Sequence, residues 1–240
     1  MRITIMLQAA AALDLELSLL INSPVGTLPT FDQILHIIER NSLFKGVFSM
    51  MLFWGLWFGV QRNAEQTRTR LLATLVVSML AVFVGRALAV TLPYRPRPIH
   101  DPELGFLLHT GLSHETLDGW SSMPSDHAVL YFALATGIFL AHRAVGAVAL
   151  LHAIFIICLP RVYFGLHYSF DILVGAVIGV AMALALVPWL ARQFQRFDVP
   201  AYAATHGGLF YPAVFFVTWQ VAAMFGPVRD LLRELAAVLT

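Results

Sequence analysis

The chain has 240 residues, of which 59% are hydrophobic and 12% charged, with a net charge of +1 and a mean hydropathy of +0.76. That is too little charge to cover a soluble domain, where about a quarter of residues are charged, and it predicts an all-α polytopic membrane helix bundle. No basic block or aromatic-interleaved basic patch occurs, which excludes nucleic-acid binding, and the lone Cys158 excludes an internal disulfide.

Residues 1–42 read as an interfacial or capping segment. Met1 to Leu13 matches a secretory signal only weakly and is read as mature chain. From Phe31 to Ile38, residues Ile34, Leu35 and Ile38 share one side of a helix lying at the bilayer surface or packing under the bundle. Six apolar runs long enough to cross then follow at about 43–60, 71–92, 123–141, 144–160, 168–190 and 209–226, with 144–160 short. Val228 to Leu239 sets Leu231, Leu232, Leu235 and Val238 at helical spacing with Arg229, Arg233 and Glu234 between them, a surface amphipathic helix. One membrane-embedded domain is therefore expected over 1–240: the segment 1–42, the main bundle 43–190 and an extra C-terminal span 209–226, with about six transmembrane helices plus amphipathic helices at both ends.

Between two apolar runs, Arg161 to Asp171 brings together a cation, an imidazole and a carboxylate. Ionisable groups at such places are costly and mark function. His167 and Asp171 are four apart, on one face of a helix. A carboxylate on one imidazole nitrogen fixes the tautomer and turns the other lone pair outward, which makes His167 a candidate nucleophile; a structural His–Asp pair is the alternative. Arg161 offers a planar donor fork for a tetrahedral oxyanion.

Loops 93–122 and 161–167 are separated by two crossings and must open on one face. The first carries Arg95 and Arg97 between prolines and leads into Met123-Pro124-Ser125-Asp126-His127 at the start of a helix. By itself this run is a helix start, with Ser125 as N-cap and Asp126 in the first turn. Beside three arginines, the free N–H groups of that terminus read as part of a phosphate cradle, and His127 as the group that gives and takes protons. Arg86, inside a span, is either a structural charge or part of the site. His100, His109 and His114 show no metal-ligand spacing, and neither a metal nor another cofactor is expected.

Arg97-Pro98, Pro124-Ser125-Asp126-His127, and Arg161 with His167 and Asp171 resemble the three motifs of the type 2 phosphatidic acid phosphatase family. The third motif's spacing is reproduced, with Pro160 in place of its leading serine. Asp126 replaces the usual glycine of the second, a variant similar to bacterial undecaprenyl pyrophosphate phosphatases of the bacitracin-resistance type. The first motif's lysine falls at Val90, and Arg86 or Arg95 could supply the missing charge. The resemblance covers about residues 12–190. It implies a metal-independent membrane lipid phosphatase in which His167 forms a phosphohistidine, Asp171 orients it, and His127 protonates the leaving group and then activates water. Arg97, Arg161, Ser125, Asp126 and Arg95 form the phosphate-binding set. The expected partners are membrane lipids and a lipid phosphate or pyrophosphate substrate, best undecaprenyl pyrophosphate. Phosphatidic acid or phosphatidylglycerol phosphate hydrolysis, phosphotransfer to an acceptor, and a non-catalytic transporter are the alternatives. Arg62, Arg68 and Arg70 crowd one loop and place it in the cytoplasm, so the site is expected on the periplasmic, extracytoplasmic side of a bacterial inner membrane.

Overall fold

In the computed structural model, residues 2–59 and 62–239 are described. Met1, Thr240 and the expected end of the first run at Val60 lie outside the described residues. Among those described, every regular element is helical: α1 (Arg2–Asn22), α2 (Pro29–Arg40), α3 (Leu43–Phe58), α4 (Ala64–Thr91), α5 (Asp126–Ala141), α6 (Arg143–Tyr163), α7 (Ser169–Arg196), α8 (Val199–Thr205), α9 (Gly207–Ala222) and α10 (Gly226–Leu239), with two short 3₁₀ turns in the 93–122 loop.

The centre of the bundle is α4, α5 and α7, brought close by small residues where membrane helices cross. A Cβ on Gly137 of α5 would lie 2.2 Å from Thr74 Oγ1 of α4, and one on Gly179 of α7 would lie 2.5 Å from the carbonyl oxygen of Val129 in α5. A Cβ on Gly175 would meet the Ser125 carbonyl oxygen at 2.8 Å, so the starts of α5 and α7 lie side by side. The largest core cluster, around Phe53, Trp57, Leu71, Tyr131, Leu134 and Ile157, joins α3 and α6 to these helices.

The N-terminal segment departs from expectation. Helix α1 is apolar over Thr4–Asn22, 19 residues, long enough to cross a membrane, where the sequence suggested a surface segment. Its buried side carries Asp14, Ser18 and Asn22, while Leu13, Leu17 and Leu20 point outward. Helix α2 is amphipathic as expected, with Asp32, His36 and Glu39 buried and Phe31, Ile34 and Ile37 exposed, which fits a helix at the bilayer surface and not one that packs its apolar side under the bundle. Against lipid, an apolar face loses nothing by pointing out, whereas polar groups must find partners inside.

Among the described residues, four helices are long and apolar enough to cross, five if α9 and α10, bent by 85°, count as one span; α3 and α5 are shorter apolar helices. The apolar helices thus include α1 besides the six expected runs. The short run 144–160 is the middle of the 21-residue α6, which widens to an i→i+5 turn at Ala153–Cys158.

Candidate active site

The two loops expected to share a face do meet. The Ile99 N–H donates across to the Gly165 carbonyl at 3.1 Å, and where the loops run into their helices the Ser125 N–H donates to the Asp171 carbonyl at 3.2 Å; within the first loop the Ser122 N–H closes back on the Arg95 carbonyl at 2.9 Å. Glycine at 165 permits the φ of +66° with which the chain turns from α6 towards α7. In that turn the N–H groups of Leu166 and His167 both donate to the Arg161 carbonyl, at 2.9 and 3.2 Å. Helix α1 ends on the same face, where Asn22 Nδ2 donates to the carbonyls of Leu107 and Tyr163.

His167 is 3% exposed. Its Nδ1 lies 2.8 Å from the Ser122 carbonyl oxygen, which can only accept, so Nδ1 carries the proton and Nε2 presents a lone pair. The expected carboxylate partner is one shell further away, since Asp171 Oδ2 is 3.6 Å from Nδ1. As the third residue of its helix, Asp171 folds back to accept the Tyr168 N–H at 2.8 Å. Its other oxygen accepts Arg95 Nη1 at 2.6 Å. Burial, reinforced by Arg161 and Arg97 and opposed by Asp171, pushes the His167 pKa down to about 4, so the ring is neutral at physiological pH.

Around Nε2 stand Arg97 Nη1 at 3.1 Å and Ser125 Oγ at 3.4 Å. Arg97 also donates to the Leu166 carbonyl at 2.6 Å. Burial and the neighbouring Arg161 lower its pKa to about 10, which leaves it charged. Arg161 Nη1 lies 2.8 Å from Glu39 Oε1 and 3.5 Å from His127 Nε2. Both guanidiniums are 5% exposed, and the Nε of each is buried without a hydrogen-bond partner among the described residues.

Arg95 and Arg86 have other engagements. Arg95 Nη2 donates to Asp14 Oδ2 at 2.6 Å while Nη1 holds Asp171, and its guanidinium lies 4.0 Å from the Tyr168 ring. Burial opposes its charge, but the two carboxylates prevail and its pKa is raised. Arg86 Nη1 pairs with Asp126 Oδ2 at 3.0 Å and lies 4.1 Å from the Trp120 ring. Val90, where the family's lysine falls, is 77% exposed and faces away from the site. The loop histidines fasten the loop: His100 to the Thr116 carbonyl, His114 to that of Ile99, and His109 to the Gly111 N–H. Among the described residues no three His, Cys, Asp or Glu side chains group as metal ligands.

Three charged residues escaped sequence reasoning: Asp14, Glu39 and Lys45, whose Nζ is 3.8 Å from Glu39 Oε1. The available signal was polar residues recurring every three or four positions, as in Asp14-Ser18-Asn22 and Asp32-His36-Glu39.

A sequence profile of the PAP2 superfamily matches residues 70–195, more than half of the chain and all three motifs. The chain belongs to the PAP2 superfamily. Over 75 residues it is 39% identical to the bacitracin transport permease protein BcrC of Bacillus licheniformis, a stretch that is 31% of this chain and only 36% of that relative. The crystal structure of Aquifex aeolicus LpxE is similar at 26% identity and a TM-score of 0.48, covering 72% of this chain and 93% of that one. The matched PAP2 region supplies His127, Arg161, His167 and Asp171, whereas Asp14, Glu39 and Lys45 reach the site from helices before it.

Proposed function

We propose that this PAP2 protein hydrolyses a lipid phosphate or pyrophosphate at the membrane interface, with undecaprenyl pyrophosphate as the best-fitting substrate, through a phosphohistidine and without a metal. One observation carries this reading. Two buried guanidiniums, whose Nε–H groups have no partner among the described residues, flank a neutral histidine whose Nε2 lone pair is oriented by its Nδ1–H bond. An oxyanion between Arg97 and Arg161 would take up those donors and set its phosphorus against Nε2.

In the first step His167 Nε2 forms the N–P bond as the P–O bond to the leaving group breaks, and His127 gives that oxygen a proton. Ser122 keeps the Nδ1 proton in place, and Asp171, fixed by Arg95 and the Tyr168 N–H, stabilises the positive charge that develops on the ring. In the second step His127 takes a proton from water, the hydroxide adds to phosphorus, the N–P bond breaks and phosphate leaves. Arg97 and Arg161 meet the oxygen charge throughout, the work a metal ion does in other phosphoryl transfers. Arg62, just before α4, and Arg68 and Arg70, in its first two turns rather than in a loop, gather at the end of the bundle away from His167 and support a site on the extracytoplasmic side. Transfer to an acceptor lipid or sugar uses the same first step. The Bacillus relative is named a bacitracin transport permease, which favours a transport reading.

The test is phosphate release by detergent-purified protein in EDTA, with undecaprenyl pyrophosphate, phosphatidic acid and phosphatidylglycerol phosphate, beside His167→Ala. Release that survives EDTA and disappears in the variant is the expected result. Loss of release in EDTA overturns the metal-free mechanism. Silence with all three lipids overturns hydrolysis and leaves acceptor-dependent transfer or transport to be assayed.

A further inference from the structure

On the Nε2 side of His167 the buried charges do not balance. Arg97, Arg161 and Lys45 are 5%, 5% and 9% exposed, and Glu39 is the carboxylate that Arg161 and Lys45 share, while Arg97 makes no ion pair among the described residues and feels Asp171 and Asp126 at longer range. Glu39 Oε1 is 2.8 Å from Arg161 but 3.8 Å from Lys45, so the short bond goes to the arginine and the ammonium is left with a contact longer than a hydrogen bond. The other nearby carboxylate, Asp126, is held by Arg86. A buried cation with so little compensation is expensive, and sites that receive anions are where such groups persist.

Lys45 is also held firmly in place. A Cβ on the adjacent Gly46 would lie 2.1 Å from the Ala222 carbonyl oxygen, so the start of α3 is pressed against the end of α9. The Phe44 carbonyl lies 2.6 Å from His152 Nε2 of α6, and Ser49 Oγ donates to the Lys45 carbonyl at 3.1 Å. Since Lys45 shares Glu39 with Arg161, whose Nη1 is 3.5 Å from His127 Nε2, its ammonium stands at the His127 end of the site. That is the end at which the leaving oxygen is protonated.

We propose that Lys45, with Arg161, forms a subsite for a second phosphate on the leaving-group side, which makes the protein selective for pyrophosphate-bearing lipids over phosphate monoesters. The proposal rests on the phosphatase reading above. With a pyrophosphate, the bond between the outer phosphorus and the bridging oxygen breaks, the outer phosphoryl group passes to His167 Nε2, and the bridging oxygen departs on the lipid monophosphate with a proton from His127. Lys45 meets the charge of that departing monophosphate. A monoester leaves as a neutral alcohol and gives Lys45 nothing to hold. Lysine suits the task, being a compact charge on a flexible stem that can follow a departing group.

The experiment compares wild type, Lys45→Met and Lys45→Arg on undecaprenyl pyrophosphate and phosphatidic acid in the same detergent. Lys45→Met should lower kcat/KM on the pyrophosphate by about 10- to 100-fold, the worth of one charge-assisted contact, while phosphatidic acid turnover changes by less than about 3-fold. Lys45→Arg should restore most of the loss. Because phosphatidic acid turnover reports folding, equal losses on both lipids, or none on either, overturn the subsite. Wild type silent on both overturns the phosphatase reading itself.

Discussion

Replacing Asp14 by asparagine tests whether the N-terminal helix is part of the reaction machinery. Asp14 is 1% exposed; Oδ1 accepts the Phe170 N–H at 2.7 Å and Oδ2 accepts Arg95 Nη2 at 2.6 Å. Asparagine has one acceptor oxygen for these two donors and removes the charge. Losing a charge-assisted bond costs about 1.5–3 kcal/mol, and a buried unpaired donor about 1–3 kcal/mol more. Arg95 is 28% exposed and keeps Asp171, so water and the remaining carboxylate soften the loss, and about 2–3 kcal/mol is expected. For a chain of this length that lowers the melting temperature by about 5–10 °C, which intrinsic fluorescence in detergent would follow. Since Arg95 braces the Asp171 carboxylate, kcat should fall about 10-fold with KM little changed, as befits a group that acts through His167. A variant that melts and turns over like wild type would refute the chain of contacts from Asp14 through Arg95 to Asp171.

Incubation with a substrate bearing a good leaving group should label His127→Ala with phosphate and leave His167→Ala unlabelled, because the proposed mechanism forms the N–P bond on His167 alone; equal labelling of the two would reverse or void the roles. His167 titrates at about 4 rather than 6.5, so the unfolded chain takes up its proton first, and the stability held by the neutral ring is present above about pH 6.5 and lost as pH falls towards about 4. Nitrogen-15 spectra of histidine-labelled protein at about pH 6 should show this ring neutral with the proton on Nδ1, and an imidazolium signal there would contradict it. Gly179→Ala forces a methyl to 2.5 Å from the Val129 carbonyl oxygen, backbone that cannot rotate aside; a loss of about 1–3 kcal/mol in a thermal melt, with reduced turnover, is expected, and an unchanged melt would mean α5 and α7 can part freely.

Much of the site could be read in advance because its constraints are local or countable. Counting crossings put Arg97 and His167 on one face, and their 3.1 Å contact agrees. Helical spacing put Asp171 near the His167 ring, yet spacing does not show backbone, and it is a backbone carbonyl, that of Ser122, that fixes the tautomer. Hydropathy failed for the first 42 residues for a different reason. An amphipathic pattern gives the two faces of a helix but not which one turns inward, and in lipid the inward face of α2 is the polar one. The interfacial reading of residues 1–22 fails likewise, because the groups that receive Asp14 inside the bundle, Arg95 and Phe170, lie 81 and 156 residues away in sequence. The pairing of Arg86 with Asp126 decides between the two readings left open for that arginine and ties it to the second motif.

The distance along the chain between Asp14 and its partners bears on biogenesis. When α1 leaves the ribosome its carboxylate has neither of the groups that later neutralise it, and an aspartate mid-span opposes insertion by about 2.5–3.5 kcal/mol. At about 5–20 residues per second, Phe170 follows some 8–30 s later. Over that interval the α1 carboxylate lacks the partners that the folded bundle gives it. Its final seating then coincides with the arrival of α7, whose first N–H groups Asp14 and Ser18 cap, so that closing the bundle and completing the reaction centre become one event.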